Sequence, residues 1–205
     1  MPDNNIYKAN LDKIQMVIFQ FLKPSGFKKK GRTFNRETEK GVIQVINLQS
    51  GPYISGSYYG KFTVNMGVLI EEIHNLNFPS KPFYSESYCQ IRKRLPELSK
   101  GRDFWWDLSD SPEEIAKEII KELDMFGLPW FNLFKTRELI CQNLRSNGEK
   151  TASSSDKFYV AIITLQRDRK RGEELFQEYF DNLQNRKGHK DYIKALADRI
   201  GITLK

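Results

Sequence analysis

KFTVNMGVLI, residues 61–70, puts Phe62, Val64, Met66, Val68 and Ile70 at every second position. A period of two marks a strand with one buried face, because successive side chains point to opposite sides of the pleat. Three further runs crowd around it. RTFNRETEKGVIQVINLQS, residues 32–50, holds two β-rich runs divided by the charged turn Glu39-Lys40-Gly41, a hairpin pattern. YCQIRKRL, residues 88–95, predicts a fourth strand with Cys89, Ile91 and Leu95 on one side and Gln90, Arg92 and Arg94 on the other. Strands bunched together with short connections pair antiparallel.

Helical patterns bracket these strands. Leu11, Ile14, Val17, Ile18, Phe21 and Leu22 recur at three- and four-residue spacing, which predicts an amphipathic helix over residues 4–23 stopped by Pro24 and Gly26. SPEEIAKEIIKELDMFG carries a helix start, with Ser111 as N-cap, Pro112 in the first turn and Glu114 as the capping acid. Gly127 is expected to end that helix, and LPWFNLFKTRELICQNLRS to form the next. Three more helical pieces follow a polar loop at 147–156. The expected fold class is α+β: an antiparallel sheet of about four strands packed by helices, in a domain of residues 1–132, with a helical C-terminal extension over 133–205.

Composition supports a folded chain and removes several functions. Hydrophobic residues make up 39% and aromatics 13%, enough for a core. No run of 18 apolar residues is present to span a membrane, and the N-terminus lacks a basic segment followed by an apolar one, so a membrane partner and export are not expected. Cys89 and Cys141 are then expected as reduced thiols in a cytoplasmic protein. Two histidines, His74 and His189, without CxxC or HExxH spacing, predict neither metal nor cofactor. GSYYGKF is one residue short of a phosphate loop and enters a strand. Glu71-Glu72 ends a strand, where solvation is expected, and Glu113-Glu114 suits a helix N-terminus. No catalytic residue is assigned.

Two constellations remain. The net charge is +7, and Lys23, Lys28, Lys29, Lys30, Arg32 and Arg36 supply +6 of it within a stretch that holds no acid. Lys28, Lys29, Lys30, Arg32 and Arg36 form a candidate basic patch for nucleic acid. The other constellation is the polar side of the sheet. Asn47, Gln49, Asn65, Arg92 and Arg94 suit hydrogen bonding to anions or peptide groups, and Trp105 or Trp106 in FWWDL could add a stacking surface. Ile43 and Val45 share the parity of Asn47 and Gln49, so a mixed face is expected.

GFKKKGRTFNR, GVIQVINLQSG, GKFTVNMGV, CQIRKRL and WWDL, in that order, resemble the bacterial domain-of-unknown-function family numbered 4304 over about residues 10–130. The resemblance implies an α+β domain with an antiparallel sheet and carries over no activity or catalytic residue. The reading is a non-catalytic interaction or ligand-binding module that uses the polar sheet face for a protein or small-molecule partner. Nucleic-acid binding through residues 23–36 and an immunity or antitoxin-like role are the alternatives.

Overall fold

The computed structural model describes residues 4–52, 56–146, 154–183 and 187–205. They fall into two compact units, Met1–Glu71 with Ser80–Lys135, and Glu72–Pro79 with Thr136–Lys205. The fold is α+β.

In the first unit α1 (Asn4–Leu22) ends in a 3-10 turn, Lys23–Ser25, that contains Pro24. Gly26 follows at φ 86°, a left-handed conformation that glycine adopts without steric cost. β1 (Lys28–Lys30), β2 (Thr33–Glu39), β3 (Val42–Ser50) and β4 (Lys61–Ile70) come next. The short helix α2 (Glu71–His74) follows β4, and from Glu72 on its residues belong to the second unit. The chain returns as β5 (Ile91–Arg94), α3 (Leu95–Ser99), β6 (Trp106–Asp107) and α4 (Pro112–Glu122). A π turn, Leu123–Gly127, joins α4 to α5 (Leu128–Asn132). All strand pairings are antiparallel, in the order β1-β2-β3-β4-β5, and β6 pairs with the start of β4.

One face of the sheet is the core. Phe34, Ile46, Leu48, Phe62, Val64, Met66 and Val68 are buried on it. Each removes apolar surface from water worth about 1.5–3 kcal/mol. Phe19 of α1 stacks on Phe34, and the Gln44 amide donates to the Phe131 carbonyl of α5 at 2.9 Å. Trp106 belongs here too: it packs on Phe62 and donates to Glu118 at 3.0 Å. Ser111 caps α4, its hydroxyl accepting from the Glu114 N–H at 3.3 Å.

Several expectations need correction. The sheet has five strands in its main path rather than about four, because KKK folds as β1, with Gly31-Arg32 as the turn to β2. YCQIRKRL is a strand only over Ile91–Arg94. Cys89 follows a 3-10 turn, Glu86–Tyr88, which resets the alternation and turns Cys89 to the opposite face from Ile91. Gly127 does not end a helix. A Cβ there would lie 3.0 Å from Leu123 and 3.3 Å from both Leu95 and Met66, so the glycine eases close packing while the backbone stays helical. Pro129, which has no N–H for the carbonyl four residues back, sits just after the widened π turn. The single helix expected after it is two, and Thr136 accepts from Leu139 N–H at 3.3 Å to start the second.

That second helix, α6 (Arg137–Ser146), opens the main helical series of the other unit, followed by α7 (Ser154–Leu165), α8 (Arg169–Asp181) and α9 (Lys187–Arg199). Phe158 of α7 packs on Phe176 and Tyr179 of α8. Asp168 caps α8 by accepting from Arg171 N–H at 3.0 Å. Of the expected loop at 147–156, residues 147–153 lie outside the described residues, and α7 already begins at Ser154. No helix among the described residues is long and apolar enough to cross a membrane.

Gly67 in β4 lets the segment after Tyr84 lie against the sheet, since a Cβ there would sit 2.6 Å from Cys89 Cβ and 2.7 Å from its sulfur. Gly67→Ala is therefore expected to destabilise the first unit by about 1–3 kcal/mol in urea unfolding, as overpacking does. In a double-mutant cycle the penalty should shrink in a Cys89→Gly background, because both clashing atoms are then gone.

Candidate functional site

The second face of the sheet is divided by rows. Lys30 pairs with Thr33, Thr33 with Asn47, Asn47 with Asn65, and Asn65 with Arg94. Cross-strand partners share a face, so five polar side chains form one line across five strands. At about 4.8 Å per strand the line runs roughly 19 Å. Beyond it Gln49 pairs with Thr63. On its other side lies Lys28, Asn35, Val45, Gly67 and Arg92, and then Glu37, Ile43 and Leu69.

The apolar end of this face is covered. Ile43, Val45 and Leu69 pack with Tyr84 and Cys89 in one buried cluster. The covering segment is clamped by Asn35, whose amide donates to the Tyr84 carbonyl at 2.9 Å and accepts from the Tyr84 N–H at 2.8 Å. Gln90, expected on the polar face, instead accepts from the Ile70 N–H at 2.8 Å and ties the segment to the end of β4. The mixed parity of β3 is thus resolved in space: its first half is lidded and its second half is not.

The other end is a hydrogen-bonded network, open at Asn47 and Gln49 of β3 and closed over Thr63 and Asn65 of β4. Asn65, buried, donates to Gln49 Oε1 at 2.7 Å and accepts from Arg94 Nε at 3.2 Å. Arg94 Nη1 meets Asp103 Oδ1 at 2.7 Å, and Trp105 Nε1 donates to Asp103 Oδ2 at 3.3 Å. The Arg94 guanidinium lies 5.4 Å from the Trp105 ring centre, and Tyr58 packs on the same ring with centroids 4.5 Å apart. Asn47 donates to Thr33 Oγ1 at 2.8 Å, and Thr63 donates to the Phe104 carbonyl at 3.0 Å. Arg92 makes a two-pronged pair with Glu86. Gln49, Asn65, Arg92 and Arg94 line an open hollow of about 190 Å³ together with Lys93 and the carboxylates Glu86 and Glu97.

The expected residues therefore separate. Asn47, Gln49, Asn65, Arg92, Arg94 and Trp105 come together. Trp106 does not, because it pairs with Phe62 and points into the core. Of the basic patch, exposed Lys28 and Lys30 share the polar face, while Lys29, opposite Phe34, turns to the helix side. Arg32 donates to Ser50 Oγ at 3.1 Å. Arg36 is spent on structure: it donates to Gln44 Oε1 and to the Ser25 carbonyl, and it lies over the Phe27 ring. Burial lowers its pKa, and a half-buried guanidinium held this way is not presented to a partner. The members that sequence reasoning missed are Thr33, Tyr58 and Asp103. The Gly31-Arg32 turn was the signal for Thr33, since a two-residue hairpin sets the register.

The candidates for chemistry have other jobs. Burial raises the Cys89 thiol far above its ordinary pKa, with Glu86 adding to the effect, and burial also raises Cys141, so neither favours the reactive thiolate. The expected solvated pair Glu71-Glu72 is not solvated as a pair. Glu71 accepts from the Tyr84 hydroxyl at 2.9 Å, and Glu72 takes both prongs of Arg137 at 2.7 Å. His74 is buried, with Nε2 3.2 Å from the Pro79 carbonyl.

Burial pulls the Asp103 carboxyl up, but hydrogen bonds from Arg94 and Trp105 outweigh it and hold the pKa below the ordinary value. A carboxylate with a depressed folded pKa stabilises the fold above its unfolded pKa and loses that contribution as pH falls through the folded one. In Arg94→Gln, carboxyl NMR titration should show the Asp103 pKa rising toward the usual range. The variant should also lose less stability than wild type on acidification through that window.

No curated protein and no solved structure matches the chain. The family model described as a domain of unknown function (DUF4304) matches residues 6–133, slightly wider than the expected 10–130. That is more than half of the sequence, and the chain belongs to this family.

Proposed function

We propose that the protein is a non-catalytic binding module that receives an extended anionic partner across the uncovered half of its sheet. The single observation that carries this reading is the row Lys30–Thr33–Asn47–Asn65–Arg94. Half-buried Asn47 and exposed Gln49 lie between a cation at each end, and buried Asn65 holds Gln49 and Arg94 in place. The hollow of about 190 Å³ is smaller than the roughly 300–1,000 Å³ typical of small-molecule pockets, so the row's length favours a longer ligand. Arg92 and Arg94 are pre-oriented by Glu86 and Asp103, which leaves less side-chain freedom to lose on binding. Two free cysteines fit a reducing compartment such as bacterial cytoplasm.

Inorganic tripolyphosphate is a simple probe. In an NMR titration the side-chain amide signals of Asn47, Gln49 and Asn65 should move together. Arg92→Ala combined with Arg94→Ala should keep the fold and lose about tenfold or more in affinity, equivalent to about 1.4 kcal/mol. Unchanged affinity, or shifts confined to other residues, would refute the placement.

A nucleic-acid partner is the second reading, favoured by Lys28 and Lys30 on this face and by the Tyr58–Trp105 pair at its other end. Aromatic stacking on bases contributes about 1–3 kcal/mol per base. An oligothymidylate should then bind more tightly than a polyphosphate of equal charge and quench emission lost in Trp105→Phe. Equal affinities with no quenching would decide against bases.

A further inference from the structure

β1 is the outer strand of the sheet, and among the described residues it pairs with β2 alone. Its residues are Lys28, Lys29 and Lys30, and none of the three has an ion pair or side-chain hydrogen bond among the described residues. Gly31, at φ 57°, and Arg32 make the two-residue turn to β2. In such a hairpin the residues flanking the turn form a hydrogen-bonded pair, and bonded pairs alternate with non-bonded ones along the strands. Lys30–Thr33 and Lys28–Asn35 are thus the bonded pairs, and Lys29–Phe34 is not. The N–H and C=O of Lys29 point off the edge of the sheet.

An unpaired edge is a template for another strand. Against a second copy of β1 the lysines would meet like charges about 4.5–5.5 Å away, which is unfavourable. The same spacing rewards carboxylates. Lys28 and Lys30 lie on one face and Lys29 on the other, so the complement is a run of consecutive acidic residues in extended conformation. We propose that the β1 edge is a docking site for an acidic strand of a partner polypeptide, which adds to the sheet through the Lys29 amide and carbonyl. A nucleic acid neutralises the lysines equally well but carries no donor and acceptor at strand spacing to match that backbone. This site shares Lys30 with the row described above, but it rests on the outward backbone of Lys29 and not on Arg92 or Arg94.

The probe is a nine-residue peptide with three central glutamates flanked by alternating threonine and valine, followed by fluorescence anisotropy at low salt. Saturable binding is expected, with exchange of the Lys29 amide slowed about tenfold or more in the complex. Lys29→Gln removes only the charge and should weaken binding by no more than about fivefold. Lys29→Pro removes the outward donor while keeping the ladder to β2, as proline does on edge strands, and should abolish binding. Arg92→Ala with Arg94→Ala should leave peptide affinity unchanged, which separates this site from the one proposed above. The proposal is overturned by an absence of peptide binding, by binding that leaves Lys29 exchange untouched, or by Lys29→Pro binding as well as Lys29→Gln. An oligothymidylate of equal charge that binds as tightly as the peptide also overturns it. Should Lys29→Pro fail to fold, the wild-type Lys29 exchange rate decides alone.

Discussion

Two buried hydrogen bonds between the Asn35 side chain and the Tyr84 backbone determine which half of the sheet meets water. They bring residues 84–89 down onto Ile43, Val45 and Leu69, whose exposure would otherwise be costly. An asparagine amide offers one donor and one acceptor side by side, which matches a backbone N–H and C=O. The clamp fixes where β5 enters, and hence which β5 side chains stand beside Asn65. Loss of either partner would leave the other buried and unsatisfied, at about 1–3 kcal/mol.

Six cations of the sheet, Lys28, Lys29, Lys30, Arg36, Arg92 and Arg94, fall into three states. Arg36 is enclosed by Gln44, Ser25 and Phe27 and holds the first strands to the helix side. Arg92 and Arg94 are paired but remain at the surface. Lys28 and Lys30 are exposed, and neither they nor Lys29 has an ion pair among the described residues. A basic run in sequence is therefore not a single patch. Geometry gives the guanidinium groups fixed directions and leaves the ammonium groups as mobile point charges, in keeping with their chemistry.

Much of this was legible in advance. The alternation in residues 61–70 identified the core face, and Ser111 and Pro24 marked helix boundaries that the structure keeps. The site was half legible, because parity places Asn47, Asn65 and Arg94 on one side of a strand without saying what lies over them. Trp105 and Trp106 could be separated in principle by their opposite directions, yet only the pairing of Trp106 with Phe62 decides which one is buried. β1 was missed because three lysines have weak strand propensity, and tertiary pairing with β2 overrides it. Asp103 and Tyr58 come from irregular segments, where no period announces a side chain's direction.

The meander order of the strands bears on how the chain folds. β1 to β3 pair through two turns of two residues each, so their loop-closure entropy is small and they can form early. Tyr84 and Cys89 arrive only after β4, across a much longer connection. Until they do, Ile43, Val45 and Leu69 form a sticky patch on the growing sheet, and a chain stalled at that stage would be a target for chaperones and for aggregation.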